Sequence, residues 1–562
     1  MSTLVKKAVK VVKKSAGGRS GGGSGGAEIS PLRPRFQQKE PPCINTCPSS
    51  SDIRGWVTAI AQGESYGLTP AQSHEKAWYL LTDKNPFPAV CGRVCPHPCE
   101  TNCNRHAVDH PVAINAIERS IGDYGLQNKL PLRKLTEDKR SERIAVVGAG
   151  PAGLSCAYQL ARRGYPVTVF EAFPHAGGML RYGIPVYRLP REVLDGEIAK
   201  IAELGVDIKL NTMVGKDVSY DVLRQEFRAV FVGIGAHKGL KLGAPGEDAV
   251  NVMSGVEFLH RVNAGEKVDI GSKVIVVGGG DTAIDAARVS RRLGAEVVLL
   301  YRRTRKEMPA IEPEIVGAEE EGVKLELLAA PIEVLRQGNR ATGIRVQRMQ
   351  LGEPDKSGRP RPVPIPGSEY TVEATTIIPA ISQEPDFAGF EKLRSGKDWL
   401  KVDDRGKSSE DGTYAGGDAV ALAIATTAIG HGRRAAEAID DLLNGRVAEA
   451  PASLPLVKPE RMKLGYYKQL PRNERTHLAV EERLRDGNAE VEHALSEAQL
   501  LDESKRCLSC GMCFDCETCW MYCTNGAFVK KPKGEHFGLK LEVCNGCKKC
   551  GEECPCGYID LI

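Results

Sequence analysis

From Ile144 the chain reads IAVVGAGPAGLSCAYQLARRGYPVTVFEA: an apolar run, a glycine turn, apolar positions at helical spacing and a second apolar run. That order predicts strand, turn, helix and strand. Near residue 273 it restarts as KVIVVGGGDTAIDAARVSRRLGAEVVLLYRR, so two dinucleotide-type units lie in tandem. Upstream, SDIRGWVTAIAQG and AINAIERSIGDYG carry helical apolar spacing and predict a mainly helical region. Downstream, residues 447–505 are polar, Pro-containing and weakly helical, a linker or strap. No apolar run reaches the ~18 residues that a membrane span requires.

At 562 residues the chain has room for three or four domains. The expected division is a basic Gly/Ser-rich tail (1–40), a helical cysteine-bearing domain (41–140), and the first dinucleotide unit in two parts (141–254 and 380–446). The second unit (255–379) is inserted between those parts. The linker (447–505) and a small cysteine-rich domain (506–562) follow. The fold class is multidomain: a helical N-terminal domain, two Rossmann-like α/β domains and a C-terminal α+β domain.

Charge adds one feature. The net charge is +4, yet the first twenty residues hold six basic side chains and no acid, so the remainder carries −2. Such an arm suits nucleic acid, anionic lipid or an acidic partner, but its Gly/Ser-rich continuation favours a solvated tail, and no nucleic-acid partner is expected. It lacks the apolar core of a signal peptide, which points to the cytoplasm.

Of the 18 cysteines, six lie between Cys43 and Cys103, eleven between Cys507 and Cys556, and Cys156 stands alone between the two sets. Clustering at the ends of a long chain with CxxC spacing indicates metal or iron–sulfur ligation rather than a disulfide scaffold. The middle must work without a redox cysteine pair.

Gly148, Gly150 and Gly153, with Pro151 and Ala152 between them, hold the GxGxxG positions of the first unit, and Glu171 ends its next strand. Such glycines let a backbone approach a pyrophosphate, and the acid accepts ribose hydroxyls. The second unit offers Gly278, Gly280, Asp281, Thr282 and Ala283; Arg302 and Arg303 end its second strand where an NAD site usually has an acid. Arginine there favours the 2′-phosphate of NADPH over NADH, although strand-end arginines also serve solubility.

EVCNGCKKCGEECPCG sets Cys544, Cys547, Cys550 and Cys554-Pro in the C-x2-C-x2-C-x3-C-P run of bacterial ferredoxins, and Cys513, Cys516, Cys519 and Cys523 repeat it with Thr524 in place of Pro. In such pairs the fourth cysteine serves the other cluster, giving Cys513, Cys516, Cys519 with Cys554, and Cys544, Cys547, Cys550 with Cys523. The N-terminal set, Cys43, Cys47, Cys91, Cys95, Cys99 and Cys103, also admits zinc, and six thiolates cannot fill two all-cysteine cubanes.

The paired nucleotide units, together with AGGDAVALAIATTAIGHGRRAA, resemble flavoproteins with two dinucleotide-binding domains. The resemblance implies FAD in the first unit and a nicotinamide nucleotide in the second, with Gly417 and Asp418 at the ribityl chain and Thr427 and Ala428 near the ring. With CGRVCPHPCETNC, AINAIER, GGMLRYGIP, GGGDTA and YRRTRKEMPA, residues 41–446 resemble the glutamate synthase small-subunit family. This adds Gly178, Leu180, Arg188 and Val214 as flavin candidates. It implies one cluster on Cys47, Cys95, Cys99 and Glu118, and a second on Cys43, Cys103 and a CxxC pair that normally precedes them. No cysteine precedes Cys43; the matching text, RCLSCG, supplies Cys507 and Cys510 from the far end, in the same chain or a dimer mate. The chain is then expected to hold three or four 4Fe-4S clusters.

The fused ferredoxin, AINAIERSIGDYGL and the ECPCGYIDLI ending most resemble the DsrL group of sulfur metabolism, which exchanges electrons between NAD(P)H and dissimilatory sulfite reductase. The expected function is FAD-dependent NAD(P)H:acceptor oxidoreduction with a partner redox protein, with no acid–base residue because hydride passes between cofactors. The alternatives are a glutamate synthase small subunit and a non-catalytic electron-carrier or assembly subunit; a homodimer is possible on any of these readings.

Overall fold

The computed structural model describes residues 30–355, 358–394, 399–447 and 453–562. Most of the expected tail therefore lies outside the described residues. Residues 30–40 are not free tail: Pro34–Phe36 forms a strand antiparallel to Ile559–Leu561, and Phe36 stacks on Tyr558 with ring centroids 5.5 Å apart. An apolar ring that finds such a partner is drawn out of water.

The N-terminal region is built of short helices, among them Ile53–Ala61, Pro70–Thr82, Pro88–Val94 and Ile114–Gln127. Asp52 caps the first through the Gly55 amide, and Thr69 and Gln72 form a capping box on the second. Trp56, Trp78, Leu81, Phe87 and Ile117 fill the core. Buried Glu197, from the first nucleotide unit, accepts from the Ala89 and Val90 amides at 2.7 and 3.0 Å and so caps Pro88–Val94 across the domain boundary. Burial raises its carboxyl to about 8.

The first nucleotide unit is a five-stranded parallel sheet in the order Thr413–Ala415, Ala229–Val232, Ile144–Val147, Val167–Phe170, Asp207–Lys209. The second has Thr376–Pro379, Lys273–Val277, Glu296–Tyr301 and Lys324–Leu327, all parallel. An antiparallel sheet centred on the long strand Arg340–Pro354 follows it. Lys238–Gly239 pairs with Gln383–Glu384 where the chain passes between the units.

Residues 453–505 form a fastened strap. Arg475 donates to the Gly92 carbonyl, Glu490 pairs with Arg93 and Arg119, and Arg483 pairs with Glu320 of the second unit. The strap ends in the helix Glu497–Ser504, closed by a Ser496/Gln499 capping box. The C-terminal module then places short helices Thr518–Tyr522 and Lys549–Glu552 around the hairpin Phe528–Lys530 and Phe537–Leu539. Among the described residues no helix is long and apolar enough to cross a membrane.

Candidate functional site: two cavities and four thiol sets

The strand Ile144–Val147 ends at Gly148, whose φ of 94° and close approach to the Gly233 carbonyl exclude a side chain. The helix Pro151–Ala161 starts directly after this turn. A cavity of about 230 Å³ opens there, lined by Gly148, Gly150, Pro151, Ala152, Glu171, Gly178, Val214, Gly417, Asp418 and Ala428. Gly153 sits behind it, packing helix against strand. Glu171 is buried, accepts from the Ala149 and Phe173 amides at 2.7 and 2.9 Å, and has its carboxyl raised by burial. Two backbone bonds thus hold it at the strand end.

Leu180 and Arg188 do not line this cavity. Leu180 packs into the core, and Arg188 is taken by Asp285, at 2.8 Å, and by Glu314 of the second unit. Those ion pairs join elements about a hundred residues apart in sequence. Thr427 lines neither cavity; buried Thr426 beside it puts its hydroxyl 3.7 Å from Cys95 Sγ. The sequence reading also missed His237 and Phe173 on this first cavity. The glycine-rich GIGAHKG after the apolar strand Ala229–Val232 is the signal that marks His237. Its Nδ1 is buried without a hydrogen-bond partner among the described residues, and burial lowers the ring to about 4.

The second cavity, about 670 Å³, is lined by Gly278, Gly280, Asp281, Thr282, Tyr301, Arg302 and Arg303. Ala283 lies beneath it in the core. Arg303 is engaged: it pairs with Asp355 at 2.7 Å and donates to the Pro360 carbonyl at 2.8 Å, whereas Arg302 is exposed. Asp418 lines both cavities, so the two nucleotide sites meet there. Burial raises its carboxyl to about 6.

None of the 18 cysteines is in a disulfide. Cys95 is raised to about 12 by burial, then by Glu118 and, less strongly, Cys47; Cys99 is raised by burial, Glu100, Cys47 and Cys95. Glu118, on Ile114–Gln127, is raised to about 8 by burial and accepts from Asn85 at 2.9 Å. Its helix can lie this close because Gly92, in Pro88–Val94, abuts the Arg119 backbone with no room for a methyl group. Cys91 shares this pocket, with its thiol raised by burial and next by Glu118.

The second set joins the two ends of one chain. Burial raises the Cys43 thiol, followed by Cys103, Cys510 and Cys507 as its neighbours. Cys507 is raised to about 11 by burial, with Cys103 beside it. The return of the chain is fastened by Arg506, 1% exposed, which pairs with Glu503 at 2.6 Å and Asp109 at 2.9 Å. Arg54 donates to the Cys510 carbonyl at 2.7 Å and Asn104 reaches its Sγ at 3.6 Å. Four thiols brought together without disulfides are soft donors suited to an iron–sulfur centre, and the arginines offset their charge.

In the C-terminal module Cys513, Cys516, Cys519 and Cys554 are mutual neighbours, and Cys550 sits with Cys547, Cys544 and Cys523. Backbone amides point at the sulfurs: Ala527 at Cys523, 3.2 Å, and Gly546 at Cys544, 3.4 Å. Cys556 lies with its sulfur 3.9 Å from that of Cys554. Between this module and the second set, Tyr467 of the strap donates to the Leu508 carbonyl at 2.8 Å and has Cys556, Cys510, Cys507 and Cys516 around it.

Two nucleotide cavities meeting at one aspartate, with thiol sets leading away, define a pyridine-nucleotide-dependent flavoprotein with iron–sulfur chemistry. The family description "Pyridine nucleotide-disulphide oxidoreductase" matches residues 142–432, and "Dihydroprymidine dehydrogenase domain II, 4Fe-4S cluster" matches residues 35–130. The NADPH-Fe(3+) oxidoreductase subunit beta of Geobacter sulfurreducens is 40% identical over 517 residues, covering 84% of this chain and 75% of that protein. The NADP(+)-dependent formate dehydrogenase subunit beta of Moorella thermoacetica is 39% identical, covering 84% and 70%. The glutamate synthase [NADPH] small chain of Halomonas elongata is 35% identical, covering 72% and 88%. The chain belongs to the pyridine nucleotide-disulphide oxidoreductase family, among the glutamate synthase small-subunit-like FAD and iron–sulfur enzymes. It is an NAD(P)H-dependent oxidoreductase that transfers electrons.

Proposed function

We propose that the chain exchanges electrons between NADPH and a partner redox protein through four 4Fe-4S centres, two of them in a bacterial-type ferredoxin module. When bound, FAD supplies the exchange between hydride pairs and single electrons, and the clusters supply single-electron steps. Glu171 receives the adenosine ribose hydroxyls and Asp418 the ribityl chain. Arg302, with Arg303 already engaged, meets the 2′-phosphate.

Cys47, Cys95, Cys99 and Glu118 hold the centre nearest the flavin, and the Thr426–Cys95 contact supports that order. Cys43, Cys103, Cys507 and Cys510 hold the second. Cys513, Cys516, Cys519 and Cys554 hold the third; Cys523, Cys544, Cys547 and Cys550 hold the outermost. The reading is carried by one observation, the gathering of Cys43, Cys103, Cys507 and Cys510 from opposite ends of the chain.

Three relatives have NADPH or NADP(+) in their names, and two are named as subunits, which supports NADPH and a partner protein here. The motifs shared with the DsrL group support dissimilatory sulfite reductase as that partner. Anaerobic addition of NADPH to the purified holoprotein is expected to bleach the flavin faster than NADH does, and a viologen dye to restore it. A flavin that neither nucleotide bleaches contradicts the reading. Co-purification from the native host is expected to return a sulfite reductase; a glutamate synthase large chain instead would replace that partner.

A further inference from the structure

The strand Ala229–Val232 runs beside Ile144–Val147 and ends in the turn GIGAHKG. Its first glycine abuts the dinucleotide turn so closely that a side chain on Gly148 would strike the Gly233 carbonyl. Residues 233–237 are thereby laid along the glycine turn, and Gly233, Gly235 and His237 all line the first cavity.

The packing fixes how the His237 ring stands. Gly235 has a φ of 65°, and a Cβ there would lie 3.2 Å from Nε2 of His237, so the Nε2 edge shares the space over Gly235. Phe173, just beyond Glu171, meets the ring in a T-shaped contact with centroids 5.5 Å apart. Phe173 packs in turn on His260, whose ring stacks on Tyr182 at 4.5 Å. Nδ1, the other ring nitrogen, is sealed in the protein with no hydrogen-bond partner among the described residues. Burial disfavours the imidazolium, so the ring carries a single proton. A sealed N–H without an acceptor is an arrangement that proteins avoid, which puts the proton on Nε2, over Gly235 at the cavity.

We propose that His237 is a further residue that holds FAD, its Nε2–H donating to an oxygen of the pyrophosphate–ribose half. This rests on the reading above in which the first cavity takes FAD. The ring lines that cavity together with the glycine turn and Glu171. Such a turn and acid receive a pyrophosphate and an adenosine ribose, and both offer oxygen acceptors. A neutral donor grips these oxygens without burying a cation in the apolar wall of Phe173 and Tyr182. His237 is thus set apart from Arg302, whose charge serves the other nucleotide.

The test compares the parent holoprotein with His237→Phe, which keeps an aromatic ring without the N–H, and His237→Gln, which restores a neutral N–H donor. FAD release on anaerobic dilution is followed by the rise in flavin fluorescence, and iron per chain is counted in each sample. His237→Phe is expected to release FAD about tenfold faster than the parent with iron unchanged, the scale of one hydrogen bond to a charged group. His237→Gln is expected to recover most of that difference. Equal release from the parent and His237→Phe overturns the proposal. Equally fast release from both variants also overturns it, because it assigns the ring to packing alone, as does a His237→Phe protein that loses iron along with flavin. A parent that purifies without flavin fails the cofactor reading itself; a parent replete with FAD and a flat His237→Phe result fail this proposal alone.

Discussion

The N-terminal and C-terminal thiol regions, with six and eleven cysteines, gather them in opposite ways. The C-terminal module gathers its eight ferredoxin-run thiols from about forty residues of local chain, with short helices, one hairpin and several half-exposed sulfurs. The N-terminal region packs its thiols against the core that holds Trp56 and Ile117 and borrows Cys507 and Cys510 from the far end. Local spacing can build the first kind of site. The second requires a strap, a buried salt network and close helix packing to bring distant thiols together.

The contrast can be broken most severely at Arg506. Its side chain is buried among Glu503, 0% exposed, and Asp109. Arg506→Ala takes the ion-pair partner from buried Glu503, while Asp109 keeps Arg105, at a cost of roughly 3–5 kcal/mol. Urea unfolding followed by iron analysis is expected to show the N-terminal region weakened and losing iron while the ferredoxin module keeps its own. Equal loss from both regions would erase the distinction drawn here.

A smaller break lies at Gly92. Gly92→Val presses a side chain into the Arg119 backbone, at a cost of about 1–3 kcal/mol. The displaced helix carries Glu118, so iron bound near the flavin should fall while the C-terminal thiol sets remain filled. Unchanged stability and iron would show that this helix contact does not position the site.

The glycine turns and ferredoxin runs were readable because their geometry is local: Gly148 needs its positive φ whatever the distant chain does, and the CxxC spacings predict their own gathering. The resemblance to a known family, rather than spacing, directed Cys507 and Cys510 to Cys43 and Cys103, and the structure brings all four together within a single chain. What stayed hidden depends on remote partners. Arg303 is occupied by Asp355, Arg188 by Asp285 and Glu314, and Pro34–Phe36 finds its strand more than five hundred residues away. No window of sequence contains both halves of such contacts.

The smallest expected effect concerns pH. Glu197 is raised by burial to about 8, so the native state holds its proton where the unfolded chain, near 4.5, has released it. The stability tied to that proton is present below pH 4.5 and is lost as pH rises through about 8. Glu197→Gln gives up one of the two side-chain oxygens that accept from backbone amides, at about 1 kcal/mol, but removes this loss. In urea unfolding its deficit against the parent should narrow between pH 5 and pH 9; a deficit that widens would reverse the assigned cause.

The central claim is that the two ends of the chain complete one iron–sulfur site. Iron and flavin are therefore to be counted in anaerobically purified Cys507→Ser/Cys510→Ser protein. The account predicts a loss of about four iron atoms per flavin, one cubane, with the spectra of the ferredoxin pair retained. Iron per flavin equal to that of the parent would contradict it.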